Sequence, residues 1–171
     1  EATKILVNTP IWALGLDFIY GNKNIEALEF IKNSNKVLIA GVVDGRNIWK
    51  SNFNDKLNLL ELISKTIKKE NLIVSTTCSL LHVPFCLKYE DNLNKEIKSW
   101  LAFACEKLNE LSLVSKDFFD INLNLEEISI IKRNLEDNNQ RKISNKIHNL
   151  EIQNEIKNLN LFERADKFKD R

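Results

Sequence analysis

The pattern of apolar and polar positions divides the chain into two unlike halves. In the first, short apolar runs rich in branched residues alternate with stretches of helical period. Leu14–Tyr20 (LGLDFIY), bounded by Gly21, reads as a strand, with Ile5–Val7 a candidate short strand before it. Asn24 is placed to cap a helix through Asn33, which sets Ile25, Leu28 and Ile31 on one face. Val37–Val43 (VLIAGVV) is apolar at every position, the pattern of a parallel strand buried on both faces. It runs into Asp44-Gly45-Arg46-Asn47, which is turn chemistry. Asp55 through Glu70 carries Leu59, Leu60, Ile63 and Ile67 at helical spacing, and Leu72–Ser75 predicts a further strand leading into Thr76-Thr77-Cys78-Ser79.

The second half predicts helices. Asn92 or Asn94 opens a long one through about Lys116, with Ile97, Trp100, Leu101, Ala104, Leu108 and Leu111 as its stripe. Ile121–Arg133 and Lys146–Leu159 follow, separated by the polar stretch Glu136–Arg141. The last dozen residues are charged and weakly apolar, as in a tail or an interdomain linker.

Strand and helix in alternation imply βαβ units, a parallel sheet and right-handed crossovers, hence an α/β fold. The residues just after each strand then share one rim, where α/β proteins place their sites. Those residues are Gly21, Asp44-Gly45-Arg46-Asn47 and Cys78-Ser79. Three to four parallel strands cannot close a barrel, which takes about eight. They leave an unpaired hydrophobic edge. Either the helical half covers that edge, or strands from elsewhere complete it.

Composition narrows the class. The chain has 171 residues, 43% hydrophobic and 29% charged, and a net charge of +1. That suits one ordinary domain with a sizeable core. Lys and Arg are spread rather than blocked, so no nucleic-acid partner is expected. The apolar run Val37–Val43 falls far short of the roughly 20 residues of a membrane span, so no membrane partner is expected either. Three Cys, an odd number, argue against a disulfide framework and for a reducing, cytoplasmic setting. The start at Glu1 and the absence of Met lead us to expect a piece of a longer polypeptide.

Several constellations invite chemistry. Cys78, His82 and Cys86 form C-x3-H-x3-C, residue types that zinc takes in tetrahedral sites. That spacing aligns ligands only on a helix, however, and Pro84 interrupts one. The plainer reading is a strand-end Cys, a hydrogen-bonded His and a core Cys. Asp44 and Arg46, with Gly45 giving the backbone room, could orient a substrate or anion, or could pair with neighbouring loops as rim structure. The structural reading is favoured, and Trp49 is read as packing. No G-x-S-x-G elbow exists, and His82 and His148 lie in unrelated contexts. Gly15, Gly21, Gly41 and Gly45 match no phosphate-cradling motif. Asp17, Asp117 and Asp120 offer carboxylates that nothing pairs for acid/base work. Spacing alone thus names no catalytic residue.

Three segments add a resemblance. Val42-Val43-Asp44-Gly45-Arg46-Asn47-Ile48-Trp49-Lys50 resembles the V-D-G-R-N-x-W segment of the cobalamin-independent methionine synthase family, in its N-terminal barrel. Ser75 through Pro84 is similar to the S-C-S-L-L-H-x-P segment that follows there, and Glu96 through Ala104 to the next, E-x-K-S-W-x-x-F-A. Order and spacing both fit. Leu14–Gly21 also resembles the preceding barrel strand, and Ile143–Asn149 the region before the linker to the second barrel. Cys86 departs from the family pattern; His82 agrees with it and is assigned a structural or domain-facing role.

The resemblance implies a methyltransferase built from two (β/α)8 barrels. It moves a methyl group from a polyglutamylated methyltetrahydrofolate to homocysteine, whose thiolate zinc activates. It further implies that this chain is a partial TIM barrel followed by a helical part. Residues 1–117 would be the C-terminal half of the N-terminal barrel, and 118–171 a helical segment leading to the interdomain linker. The zinc ligands, homocysteine contacts and pterin-stacking Trp would belong to the C-terminal barrel, so neither a catalytic residue nor a metal ligand is carried onto this sequence. Cys78 would occupy a vestigial ligand position. Asp44, Arg46, Asn47, Ser79 and His82 remain weak rim candidates for substrate contact. The expected role is scaffolding within a full-length enzyme, with the rest of the polypeptide as partner and zinc in the full-length enzyme only. One alternative is a free-standing binding module derived from such a barrel. Another is a different barrel enzyme using Asp44, Arg46 and His82.

Overall fold

The computed structural model describes residues 2–158. Its elements in chain order are α1 (Ala2–Leu6), β1 (Ala13–Asp17), α2 (Leu28–Lys32), β2 (Val37–Val43), α3 (Phe53–Ser64), β3 (Leu72–Thr76), α4 (Lys95–Ser99), α5 (Ala104–Phe118), α6 (Leu125–Ile143) and α7 (Leu150–Asn158), with short 3₁₀ turns between them. The strands form one parallel sheet in the order β1-β2-β3. The α/β class and its sequential parallel strands are therefore as the pattern predicts. The chain divides into two compact units after Asn138.

Register explains the first unit's core. Leu14, Leu38 and Leu72 align across the sheet, as do Leu16, Ala40 and Val74. Side chains two apart on a strand share a face. On this face Leu38 and Ala40 are fully buried, and Leu14, Leu72 and Val74 are nearly so. They join Leu28 and Ile31 of α2, Leu60 and Ile63 of α3, and Leu113, Val114 and Phe118 of α5 in one cluster. The opposite face carries Gly15, Ile39 and Ile73 in register, with Ile73 40% exposed. At Val42 the β2–β3 register slips by one residue. A Cβ on the neighbouring Gly41 would lie 2.9 Å from the Thr77 Cα and 3.1 Å from the Leu16 carbonyl, so only glycine lets the three strand ends close up.

Several boundaries differ from expectation, each for a local reason. Ile5–Val7 is not a strand: Ile5 and Leu6 belong to α1, and Val7 donates to the Thr3 carbonyl. β1 stops at Asp17, whose Oδ1 accepts from the Ile19 and Tyr20 amides and turns the chain out of the sheet. The helix expected from Asn24 breaks into a 3₁₀ turn, Asn22–Ile25, and the short α2, and Asn24 donates to the Asp17 carbonyl instead of capping. The helix expected to reach Glu70 is α3, capped by Asn52 and ending at Ser64, after which the backbone turns and still buries Ile67.

The single long helix expected from Asn94 is two, α4 and α5. Trp100 leaves the helix because its carbonyl accepts from the Lys50 amide, while the Ala102 amide donates to Ile48. Its stripe is also rephased: Leu108 is 55% exposed, whereas Lys107 and Glu110 are buried beside Leu113 and Val114. α6 runs straight through the expected break at Glu136–Arg141, and its Asn134 and Asn138 side chains donate to the Ser51 carbonyl. In the second unit Asn149 caps α7, its Oδ1 accepting from the Glu151 and Ile152 amides. The expected Leu159 terminus and the charged tail lie outside the described residues. Among the described residues no helix is long and apolar enough to cross a membrane.

Candidate functional site

The three motif segments meet at the C-terminal rim of the sheet. After β2, the buried Asp44 carboxylate gathers donors. Its Oδ2 accepts from the Tyr20 hydroxyl at 2.8 Å and from the Asn47 side-chain amide, and its Oδ1 accepts from the Arg46 amide at 2.8 Å. A buried carboxylate must be satisfied this fully to be tolerated. The bond to Asp44, with burial second, raises the Tyr20 hydroxyl above its usual pKa of 10.0. Arg46 is half exposed; its guanidinium lies 5.0 Å over the Tyr20 ring and 4.0 Å from the Asp17 carboxylate.

Loops on both sides lock this turn. The Gly45 amide donates to the Thr77 hydroxyl and the Thr77 amide to the Val43 carbonyl. A Cβ on Gly45 would lie 2.9 Å from the Cys78 carbonyl and 3.1 Å from its sulfur. Further along, Trp49 and Leu101 form an antiparallel bridge through the bonds that end α4, which ties the Val42–Lys50 segment to the Glu96–Ala104 segment. Long identifiable motifs here spell one interlocked structural joint.

The rim candidates divide accordingly. Asp44, Arg46 and Asn47 come together, joined by Tyr20 and Asp17, and Cys78 lies against Gly45. Ser79 instead caps the following 3₁₀ turn, Leu80–His82, by accepting from the Leu81 amide, and His82 is exposed at its end. The C-x3-H-x3-C residues do not converge as ligands: Cys78 turns to the Ser79 carbonyl at 3.5 Å and Cys86 to Glu106 at 3.4 Å. Among the described residues no three His, Cys, Asp or Glu side chains gather to hold a metal, so these residues do not fit a zinc site. Asp120 takes a left-handed conformation that ends α5 and pairs with Lys69 at 3.0 Å.

Tyr20 was not singled out by sequence reasoning; an aromatic hydroxyl at a strand end just before Gly21 was the available signal. Tyr20→Phe is expected to lower stability only slightly, because the hydroxyl it removes belongs to an exposed residue, and Asp44→Ala by about 2–3 kcal/mol, since it strands several donors. Urea unfolding measures both.

A second polar constellation lies under α5 and α6. The Glu110 Oε1 accepts from the Ser51 amide at 3.0 Å, Asn134 brackets Ser51 and Phe53 through both ends of its amide, and Lys107 donates to the Trp49 carbonyl at 3.1 Å. Phe53, Glu110 and Asn134 border a cavity of about 430 Å³ that also takes in the Lys50–Asp137 ion pair, 2.6 Å long. Polar residues on presumed outer helix faces gave no sequence signal of it.

Comparison with known proteins agrees with the motifs. Residues 1–68 match the family described as "Cobalamin-independent synthase, N-terminal domain". The whole chain is 46% identical over 171 residues to the 5-methyltetrahydropteroyltriglutamate–homocysteine methyltransferase of Desulforamulus reducens, spanning 22% of that protein. It is 43% identical to the Kali turgidum protein of the same name over 117 residues, 68% of this chain and 16% of the relative. It is 34% identical to the one from Buchnera aphidicola over 163 residues, 93% of this chain and 20% of the relative. This chain thus spans about a fifth of the length of these relatives. By its motifs, its parallel sheet and this identity along its full length, the chain belongs to the cobalamin-independent methionine synthase family.

Proposed function

We propose that this chain is a non-catalytic scaffold within a methyltransferase that moves a methyl group from a methyltetrahydrofolate polyglutamate to homocysteine, forming methionine. The observation that carries this reading is the 46% identity over all 171 residues to a protein named for that activity. The scaffold role is supported by the rim, where the Asp44 carboxylate is taken up by Tyr20, Arg46 and Asn47 of the chain itself. The half-exposed row Gly15, Ile39 and Ile73 suits the inner face of a (β/α)8 barrel completed by other strands of a longer polypeptide. In this reading residues 1–117 are barrel and 118–171 lead toward a second barrel. That second barrel would hold zinc, which activates the homocysteine thiol when bound, on residues outside this chain. The compartment would be the cytoplasm.

Steady-state kinetics of the full-length polypeptide test the role. Arg46→Ala and His82→Ala should each leave kcat/KM for homocysteine and the folate within about threefold, a change worth well under 1.4 kcal/mol. A tenfold or larger rise in KM with either variant would make the rim a substrate site and remove the scaffold reading.

A further inference from the structure

Cys86 and Cys105 belong to no part of the proposed function, yet the fold places them side by side. Pro84 and Phe85 accept from the Ala104 and Cys105 amides, both at 2.9 Å, so the strand of chain entering Cys86 lies one hydrogen bond from the first turn of α5. The Cys86 thiol is among the groups that act on the Cys105 thiol. The bond from the Cys105 amide to the Phe85 carbonyl, one residue before Cys86, leaves the two Cα atoms at most about 7 Å apart, the outer limit for a disulfide. The Glu106 carboxylate completes the arrangement: its Oε1 accepts from the Cys86 thiol at 3.4 Å, and it also accepts from the Leu87 and Phe103 amides. Both cysteines are partly accessible and unbridged, whereas Cys78 lies apart at the end of β3.

We propose that Cys86 and Cys105 are a reversible redox modification site, a dithiol that a low-molecular-weight disulfide such as glutathione disulfide converts to an internal disulfide. The Cys86 thiolate attacks one sulfur of glutathione disulfide, the S–S bond breaks, and one glutathione leaves as thiol. Cys105 then loses its proton and attacks the Cys86 sulfur, expelling the second glutathione. Two protein thiols are oxidised and one glutathione disulfide is reduced to two thiols. Burial, with Cys86 and Glu106 adding to it, holds the Cys105 thiol above its ordinary pKa of 9.0, so the second exchange is the slow one. The bond staples the segment from Leu87 to Phe103, whose Leu87, Leu101 and Phe103 form a small apolar cluster, to the start of α5. It also removes the thiol proton that Cys86 shares with Glu106.

The test is peptide mapping of the native full-length polypeptide after equilibration in glutathione buffers of graded redox ratio. The expected product is a linked pair of peptides containing Cys86 and Cys105, lighter by two hydrogens and restored by excess reduced glutathione. Cys78→Ala should retain the link. Cys86→Ser and Cys105→Ser should each lose it and leave a single glutathione adduct on the surviving cysteine. Separate adducts on both cysteines of the unaltered protein would overturn the proposal, as would a link that forms only in denaturant.

Discussion

Replacing Glu110 with Ala is expected to destabilise the fold by about 3 kcal/mol or more. Glu110 is 5% exposed and accepts from the Ser51 amide, and the fully buried Lys107 is the cation that pulls hardest on its carboxyl. Truncation strands the Ser51 donor, leaves Lys107 without that compensation and opens space beside the cavity, and losses of this kind are among the largest single-site effects. Glu110→Gln behaves differently. Burial raises the Glu110 carboxyl above its ordinary 4.5, outweighing the opposing pull of Lys107 and Ser51. The folded chain therefore keeps a proton that the unfolded chain has released. Stability from this group is full below pH 4.5 and is lost as pH rises through the folded value. Gln carries no such proton, so its stability relative to the unaltered chain should rise with pH across that window. Urea unfolding from pH 4 to 8 reads the sign directly, and a flat difference would remove the raised carboxyl from the account.

Trp100→Ala should cost about 3–5 kcal/mol, the range for emptying a buried aromatic site. Trp100 is 2% exposed and stands where α4 ends, at the bridge that joins the Val42–Lys50 segment to the start of α5. Among the described residues its buried Nε1 has no hydrogen-bond partner. Trp100→Phe deletes that unsatisfied donor while keeping most of the apolar contact, so it should recover more than half of the loss. Equal unfolding midpoints for the two variants would show that ring area is not what holds this joint.

How far the sequence could be read depends on which force sets each element. β2 lies where its apolar run places it, Val37–Val43, because one face is buried at Leu38, Ala40 and Val42 and the other becomes buried from Gly41 onward. β1 is shorter than its apolar run because one side chain, Asp17, captures two backbone amides. On α5 the visible stripe through Leu108 misled, since the inward face carries Lys107 and Glu110, satisfied by partners that lie 58 and 59 residues away in the chain. Asn134 and Asn138 hid in the same way, as polar residues at helical spacing whose acceptor, Ser51, lies on a distant loop. At the rim, Asp44, Arg46 and Asn47 were legible as a group, and the structure gives them to one another and to Tyr20. The zinc spacing failed because the Leu80–His82 turn and the extended chain at Val83 break the helix that would have aligned its members.

The central claim is that these residues scaffold a folate-dependent methyl transfer carried out elsewhere in a longer polypeptide. Its most direct test is methionine formation from homocysteine and methyltetrahydrofolate triglutamate. The assay compares the full-length polypeptide with residues 1–171 alone, at equal concentration and with added zinc. The account predicts turnover by the full-length protein and none by residues 1–171. Methionine formed by residues 1–171 alone, or no turnover by the zinc-loaded full-length protein, would contradict it.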